Sequence, residues 1–157
     1  VDYYENAGEG LPHYVKILDQ KRIENSWIYG DHYAPHDIRQ REFTSGISRL
    51  DTAAALGINF LITQDVSIED GIELARSMIP KCYFDEKRCA QGIKCLDNYR
   101  KRWNDKMHVY SNSPLHDYTS HGADAFRYLS IGYRNKAGPG QEANRDEWKK
   151  IRNRNIG

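Results

Sequence analysis

No stretch of this chain approaches the ~20 consecutive apolar residues needed to cross a bilayer, so a membrane-spanning role is excluded and a soluble protein is expected. An excess of charge of either sign is missing too. Charged residues make up 29% of the 157, yet the formal net charge is only +1, so any footprint on a polyanion has to be local. There is no Gly-x-x-x-x-Gly-Lys-Ser/Thr phosphate loop, which excludes a P-loop motor activity of the chain's own. There is no Gly-x-Ser-x-Gly elbow either, and the cysteines have no catalytic framing, which leaves nucleophilic hydrolase readings without support. No internal repeat is present.

Cysteine is scarce and odd in number: Cys82, Cys89 and Cys95, separated by seven and six residues. With no secretory signal ahead of them, a reducing cytoplasm and free thiols packed in a core are expected. A structural zinc domain would need a fourth ligand and a closer pair. Eleven tyrosines against four phenylalanines suit a half-wet surface of amphipathic rings. The length allows one domain with a real core and not two of ordinary size.

The hydrophobic pattern predicts strands interleaved with helices. Val1 to Glu5 reads as the tail of a strand, and Leu11 to Leu18 as a helix ending at the polar turn Asp19-Gln20-Lys21-Arg22. A strand from Trp27 runs into Pro35. Ser45 to Leu56 reads as a helix stopped by Gly57 in the C′ position, and Ile58 to Thr63 as a short buried strand; strand–helix–strand order points to parallel pairing. Ser67-Ile68-Glu69-Asp70 is a capping box with Asp in place of Glu or Gln, opening a helix with Ile68, Ile72, Ala75 and Ile79 on one face, ended by Pro80. Asp85 caps a longer helix through Trp103, with Arg100-Lys101-Arg102 near its end, where positive charge complements the dipole. Met107 to Tyr110 reads as a short strand and Ser111 to Pro114 as a turn. A helix begins around His121, and from Asn135 onward a breaker cluster leads to the basic run Lys149 to Arg154. The predicted organisation is a domain over 1–134 and a basic, mobile tail over 135–157.

Two segments carry chemistry. In His116-Asp117-Tyr118-Thr119-Ser120-His121-Gly122-Ala123-Asp124-Ala125-Phe126-Arg127-Tyr128-Leu129, His121 and Asp124 lie three apart, neighbours on one helical face. Ala125, Phe126, Leu129 and Tyr133 form a separate apolar stripe, so the acid is expected to face away from the packing side. In Trp27 to Asp37, the strand and its proline stop hold Asp37 at the strand exit, where sites gather in open α/β sheets. Each residue also has a plainer role open to it. Asp37 would stabilise a turn after Pro35, His121 would bond backbone in the first helical turn, and Asp124 would complement the helix dipole.

Together with Tyr33-Ala34-Pro35-His36-Asp37, Thr44-Ser45-Gly46-Ile47-Ser48-Arg49, Asp70-Gly71-Ile72 with Arg76, and Ser120 to Tyr128, these segments make the chain resemble the C-terminal nuclease domain of the large terminase subunit of tailed bacteriophages. The resemblance reaches to about Gly132. It implies an α/β, ribonuclease-H-like fold: a mixed central sheet flanked by helices, whose first strand, bearing the first metal-binding aspartate, is expected to lie upstream of this chain. Asp37 matches the family's second acid, Asp124 its last, and His121 a histidine one turn before that acid in some members.

The implied activity is a metal-dependent endonuclease that cuts concatemeric double-stranded viral DNA during genome packaging. Two Mg²⁺ or Mn²⁺ ions would neutralise charge on the attacking and leaving oxygens, held by Asp37, Asp124 and His121, with carboxylates favouring hard cations and Mn²⁺ tolerating imidazole. Asp31, His36, His116 and Asp117 are nearby candidates for a supporting role. Arg39, Arg41 and Arg49 are the candidate DNA contacts, with Lys149 to Arg154, since the arginine fork suits phosphate; Arg127 is placed either to orient Asp124 or to touch DNA. The implied partners are the terminase small subunit, the portal or prohead, and the ATPase domain of the same large subunit upstream, in the cytoplasm of a bacterial host. The alternative is a catalytically incomplete terminase fragment acting only in DNA binding or portal docking.

Overall fold

The computed structural model describes residues 2–137. The basic run Lys149 to Arg154 lies outside them. The order is α1 (Leu11–Asn25), β1 (His32–Ala34), α2 (Arg49–Ala55), β2 (Phe60–Ile62), α3 (Ile68–Met78), α4 (Ala90–Asn98), β3 (Lys101–Asn104), β4 (Val109–Pro114) and α5 (Ser120–Ala137). This is a mixed α/β arrangement with two small sheets, and no helix among the described residues is long and apolar enough to cross a membrane.

Helix ends follow the local chemistry closely. Ser48 and Ser67 cap α2 and α3: each hydroxyl oxygen accepts from the backbone N–H three residues on, and each hydroxyl donates to that residue's carboxylate, Asp51 or Asp70. Ser67 therefore caps α3 as expected, with the Asp70 carboxylate accepting from the Ser67 hydroxyl. Gly57 has φ +88, its N–H reaches the Ala54 carbonyl, and the Ile58 N–H reaches Ala53. That is the six-to-one and five-to-two bonding of a Schellman end, so the expected C′ glycine is in place. Pro80 ends α3 in a 3₁₀ turn, Ile79–Lys81.

The helix expected to stop at Asp19 instead continues to Asn25. Its polar residues support the turn: Arg22 pairs with Asp19, Gln20 bonds Glu24, and Lys21 reaches Asp2 at 2.6 Å. Charged residues three and four apart stabilise a helix; only the left-handed Ser26, φ +53, ends it. Val1 to Glu5 forms no strand among its described residues.

The helix expected through Trp103 stops at Asn98, because Tyr99 turns extended and the chain enters an antiparallel hairpin. Its turn is built locally: the Asn104 side-chain oxygen accepts from the N–H groups of Lys106 and Met107, and His108 takes φ +49. Ser111 to Pro114, read as a turn, belongs to β4. An Asn-Asp pair flanked by aromatic and β-branched residues is a hairpin signal, and it prevails over the helical reading of Arg100-Lys101-Arg102.

β1 pairs in parallel with β2, with His32, Tyr33 and Ala34 opposite Phe60, Leu61 and Ile62. The parallel pairing matches expectation, but the strand is shorter than the Trp27 to Pro35 segment, since β2 offers only three residues to pair with. Parallel strands are usually covered on both faces, yet Leu61 is 50% exposed.

The core forms where α3 and α4 pack on α5, around Ala75, Cys89, Cys95, Ala123, Phe126 and Ile131. Here the expected stripe on α5 is corrected. Ala125 and Leu129 are exposed, whereas Gly122, Ala123, Arg127, Ser130, Ile131 and Gly132 are buried beside Phe126. Small residues carry this packing because they let neighbours approach. A Cβ at Gly122 would meet Cys95 at 2.7 Å, and one at Gly132 would overlap the Tyr33 ring. α3 is shifted similarly: its buried positions are Gly71 and Ala75, while Ile68 and Ile79 stay exposed.

Candidate functional site

Pro35, extended at φ −68 and ψ 165, ends β1 and starts the 3₁₀ turn His36–Arg39, which carries Asp37. The Asp37 carbonyl accepts from the Gln40 N–H at 2.9 Å, but its side chain caps nothing. The carboxylate is exposed. The turn-stabilising role open to Asp37 is thus filled by its backbone, and the carboxylate stands exposed, with no salt bridge among the described residues, at the exit of a parallel strand.

Asp124 lies on α5 and is only 38% exposed. One of its oxygens, Oδ1, accepts from both Nε and Nη2 of Arg127 at 3.1 Å each. Arg127 is the buried member of the pair, its side chain 10% exposed; its guanidinium carbon lies 4.5 Å over the Tyr128 ring. Burial works against its charge, but Asp124 and Tyr128 outweigh this and hold its pKa above the ordinary arginine value. The structure thereby decides between the two roles open to Arg127: it orients the acid. Its stem fits only because residue 71 is glycine; a Cβ there would meet Arg127 Cδ at 2.9 Å and Cγ at 3.0 Å. Tyr99, at the end of α4, completes the surroundings, its phenol held above its ordinary pKa by burial and then by the Asp124 charge.

His121, in the first turn of α5, is exposed. Its ring stands edge-on to His116, centroids 5.8 Å apart at 86°. Asp117 holds the helix start: its Oδ1 accepts from the Thr119 N–H at 2.9 Å and the Thr119 hydroxyl at 2.6 Å. Those two donors, with Arg100 at 3.5 Å, keep its pKa below the ordinary carboxylate value, and its role is capping. Asp31 accepts from the Tyr33 hydroxyl at 3.3 Å, and His36 is exposed.

The arginines after Asp37 are partly committed within their own loop. Arg41 forms an isolated bridge with Ser48 and donates to the Gly46 carbonyl at 3.4 Å, and Arg49 pairs with Glu42 at 3.5 Å. Arg39 is exposed.

His121, Asp124, Arg127 and Tyr99 are thus collected at the junction of α4 and α5. Asp37 is tied to the same helix, through Tyr33 of β1 packed on Gly132, about 12 Å along α5 from Asp124 at 1.5 Å per residue. In donor type, two carboxylates and an imidazole suit Mg²⁺ or Mn²⁺. In number they are incomplete: among the described residues no group of three or more His, Cys, Asp or Glu side chains is disposed to hold a metal ion. Cys89 and Cys95 are buried and Cys82 half-buried, all as free thiols.

Gly71 and Tyr99 are the residues around the acid that the sequence reading left unassigned. The signal for Gly71 was a glycine inside a capped, otherwise regular helix, which commonly marks a close approach. No family model, curated protein or solved structure matches this chain.

Proposed function

We propose that the chain is a metal-dependent DNA endonuclease domain of the phage terminase kind, of ribonuclease-H-like fold, cutting concatemeric double-stranded DNA during genome packaging. The observation that carries the reading is the state of the two acids. Asp37 is an exposed carboxylate at a parallel strand's exit, and Asp124 is half-exposed, with one oxygen oriented by a buried arginine and the Tyr99 phenol beside it.

In this reading Asp37, Asp124 and His121 hold Mg²⁺ or Mn²⁺, which supplies charge neutralisation and an activated water when bound. Arg127 and Gly71 keep Asp124 oriented, and Tyr33 against Gly132 registers the Asp37 strand on α5. A further carboxylate completes the site, for which the edge of β1 that is unpaired among the described residues offers a place beside Asp37. Arg39, Arg41 and Arg49 contact phosphates, a role for which Arg39 is the most available. The small subunit, the portal or prohead and an ATPase domain are the partners this reading carries with it, in the cytoplasm of a bacterial host. A second reading, a fragment that binds DNA or docks on a portal without cutting, is favoured by the lack of a three-donor group among the described residues.

Cleavage of supercoiled plasmid with Mn²⁺, Mg²⁺ or EDTA separates the two, with Asp37→Asn and Asp124→Asn run in parallel. The nuclease reading expects metal-dependent nicking that falls by about 100-fold or more in either variant. Equal cutting by a folded Asp37→Asn protein, or cutting in EDTA, overturns it; no cutting by the folded wild type favours the second reading.

A further inference from the structure

We infer that the β3–β4 hairpin is a DNA-gripping arm that seats as a two-stranded ribbon in the major groove of double-stranded DNA. The inference rests on the proposed function in one respect, that double-stranded DNA is the substrate; the hairpin's own features carry the rest.

Among the described residues the hairpin packs closely on no other element. Its large side chains face solvent all the same: Trp103 is 44% exposed, Tyr110 64%, and Met107 and Val109 are also exposed. Apolar and aromatic side chains standing clear of a core mark an interaction surface. Trp103 and Tyr110 lie directly opposite one another, ring centroids 4.9 Å apart, with His108 at 6.4 Å from Trp103. One face of the ribbon is therefore aromatic, and alternation places Asn104 and Val109 on the other, while a register shift interrupts the pairing between Lys101 and Trp103.

The charge of the segment identifies the partner. Arg100, Lys101, Arg102 and Lys106 stand against Asp105 alone between Arg100 and Tyr110, in a chain whose formal net charge is +1. Positive charge is thus concentrated here. Lys101, Arg102 and Lys106 are exposed, and among the described residues none of them enters a salt bridge, whereas Arg49 and Arg76 are paired with acids on their own surface. A two-stranded ribbon fits a major groove about 12 Å wide, with basic side chains reaching the flanking phosphates and aromatic rings lying against sugars and base edges.

Position links the arm to the acids. Tyr99, beside Asp124, leads directly into β3; Arg100 reaches Asp117 at 3.5 Å, and its carbonyl accepts from the Leu115 N–H at 2.9 Å. The base of the hairpin is therefore pinned just ahead of α5, about one turn before His121 and two before Asp124. DNA held by the arm lies next to the proposed centre.

The test is fluorescence anisotropy with a labelled 30-base-pair duplex and the matching single strand, in EDTA, across a salt series. Lys101→Ser/Arg102→Ser removes two hairpin charges. Lys16→Ser/Arg22→Ser removes two exposed charges from α1, and Trp103→Ala removes the central ring. All variants are checked by far-UV circular dichroism. The hairpin variant is expected to bind duplex at least about tenfold more weakly, with a log–log salt slope shallower by about two; Trp103→Ala is expected to bind about threefold or more weakly, and the α1 variant within twofold of wild type. Equal losses in the hairpin and α1 variants, or a loss confined to the single strand, overturn the inference. Since binding is read without metal, failure here and failure of the plasmid assay are separate results.

Discussion

Removing Asp124 should destabilise the fold more than removing Arg127, although the two form one ion pair. Arg127 is the buried partner at 10% exposure, whereas Asp124 is 38% exposed and can regain water. Arg127→Met keeps the apolar stem against Gly71 and leaves a carboxylate that solvent can reach; the saved desolvation of the guanidinium offsets most of the lost hydrogen bonding, for a net loss of about 0–1 kcal/mol. Asp124→Leu strands a buried cation. Breaking a fully buried pair costs about 3–5 kcal/mol, and discounting for the partial exposure of Asp124 leaves about 2–3. Asp124→Asn retains a neutral acceptor and falls between, at about 1–2 kcal/mol. In the double variant Asp124→Leu/Arg127→Met the losses should not add, with a coupling of about 1–2 kcal/mol. Urea denaturation followed by far-UV circular dichroism gives all four stabilities. Arg127→Met costing as much as Asp124→Leu, with coupling near zero, would falsify the assignment of Arg127 as the buried partner. Under the proposed metal role of Asp124, loss of Arg127 should also weaken Mn²⁺ binding by about 10- to 100-fold, as removal of a supporting hydrogen bond does at metal sites.

Gly132→Ala drives a methyl into the Tyr33 ring and should lower stability by about 1–3 kcal/mol while loosening the strand that carries Asp37; an unchanged urea midpoint would contradict the close approach. Among the three thiols, Cys82 should react with a disulfide reagent in the native protein, slowly because burial raises its pKa. Cys89 and Cys95 should react only on unfolding, and rapid native labelling of all three would refute the buried placement. Asp117 contributes through a depressed folded-state pKa, so its contribution is present above the unfolded value near 3.9 and is lost as pH falls through the lower folded value. The stability gap between wild type and Asp117→Ala should therefore hold from pH 7 to about 5 and close at more acid pH; a gap independent of pH down to 2 would contradict the capping account.

Signals that act within one turn of chain were readable in the sequence. Ser67 with Asp70, Gly57 after α2, and the stops at Pro35 and Pro80 all rest on local bonding, and each element end they predict is found. Where nonlocal partners decide, the reading failed. Arg100-Lys101-Arg102 satisfies a helix dipole locally, but pairing of Trp103 with Tyr110 draws the segment into a hairpin. On α5 the packing face is built from Gly122, Ala123, Ser130 and Gly132, which a search for large apolar residues passes over. Two roles stood open for Arg127, orienting Asp124 or touching DNA, since a buried arginine is legible only once Gly71 is seen to make room for it. For the candidate site, the sequence offers Asp37, His121 and Asp124 by residue type and order alone. Their spacing across the fold depends on Tyr33 meeting Gly132, a contact between residues far apart in the chain.

Whether Asp37 and Asp124 surround the same cation can be read by loading the protein with Fe²⁺ in place of Mg²⁺ and adding ascorbate and peroxide, so that the bound metal cuts the backbone beside its ligands. If they share a site, mass spectrometry will find paired cuts near Asp37 and near His121 to Asp124, both suppressed by excess Mg²⁺ and both lost in Asp37→Asn. Cuts at neither segment, or at one that persists unchanged in Asp37→Asn, would show that the two acids do not form one metal centre.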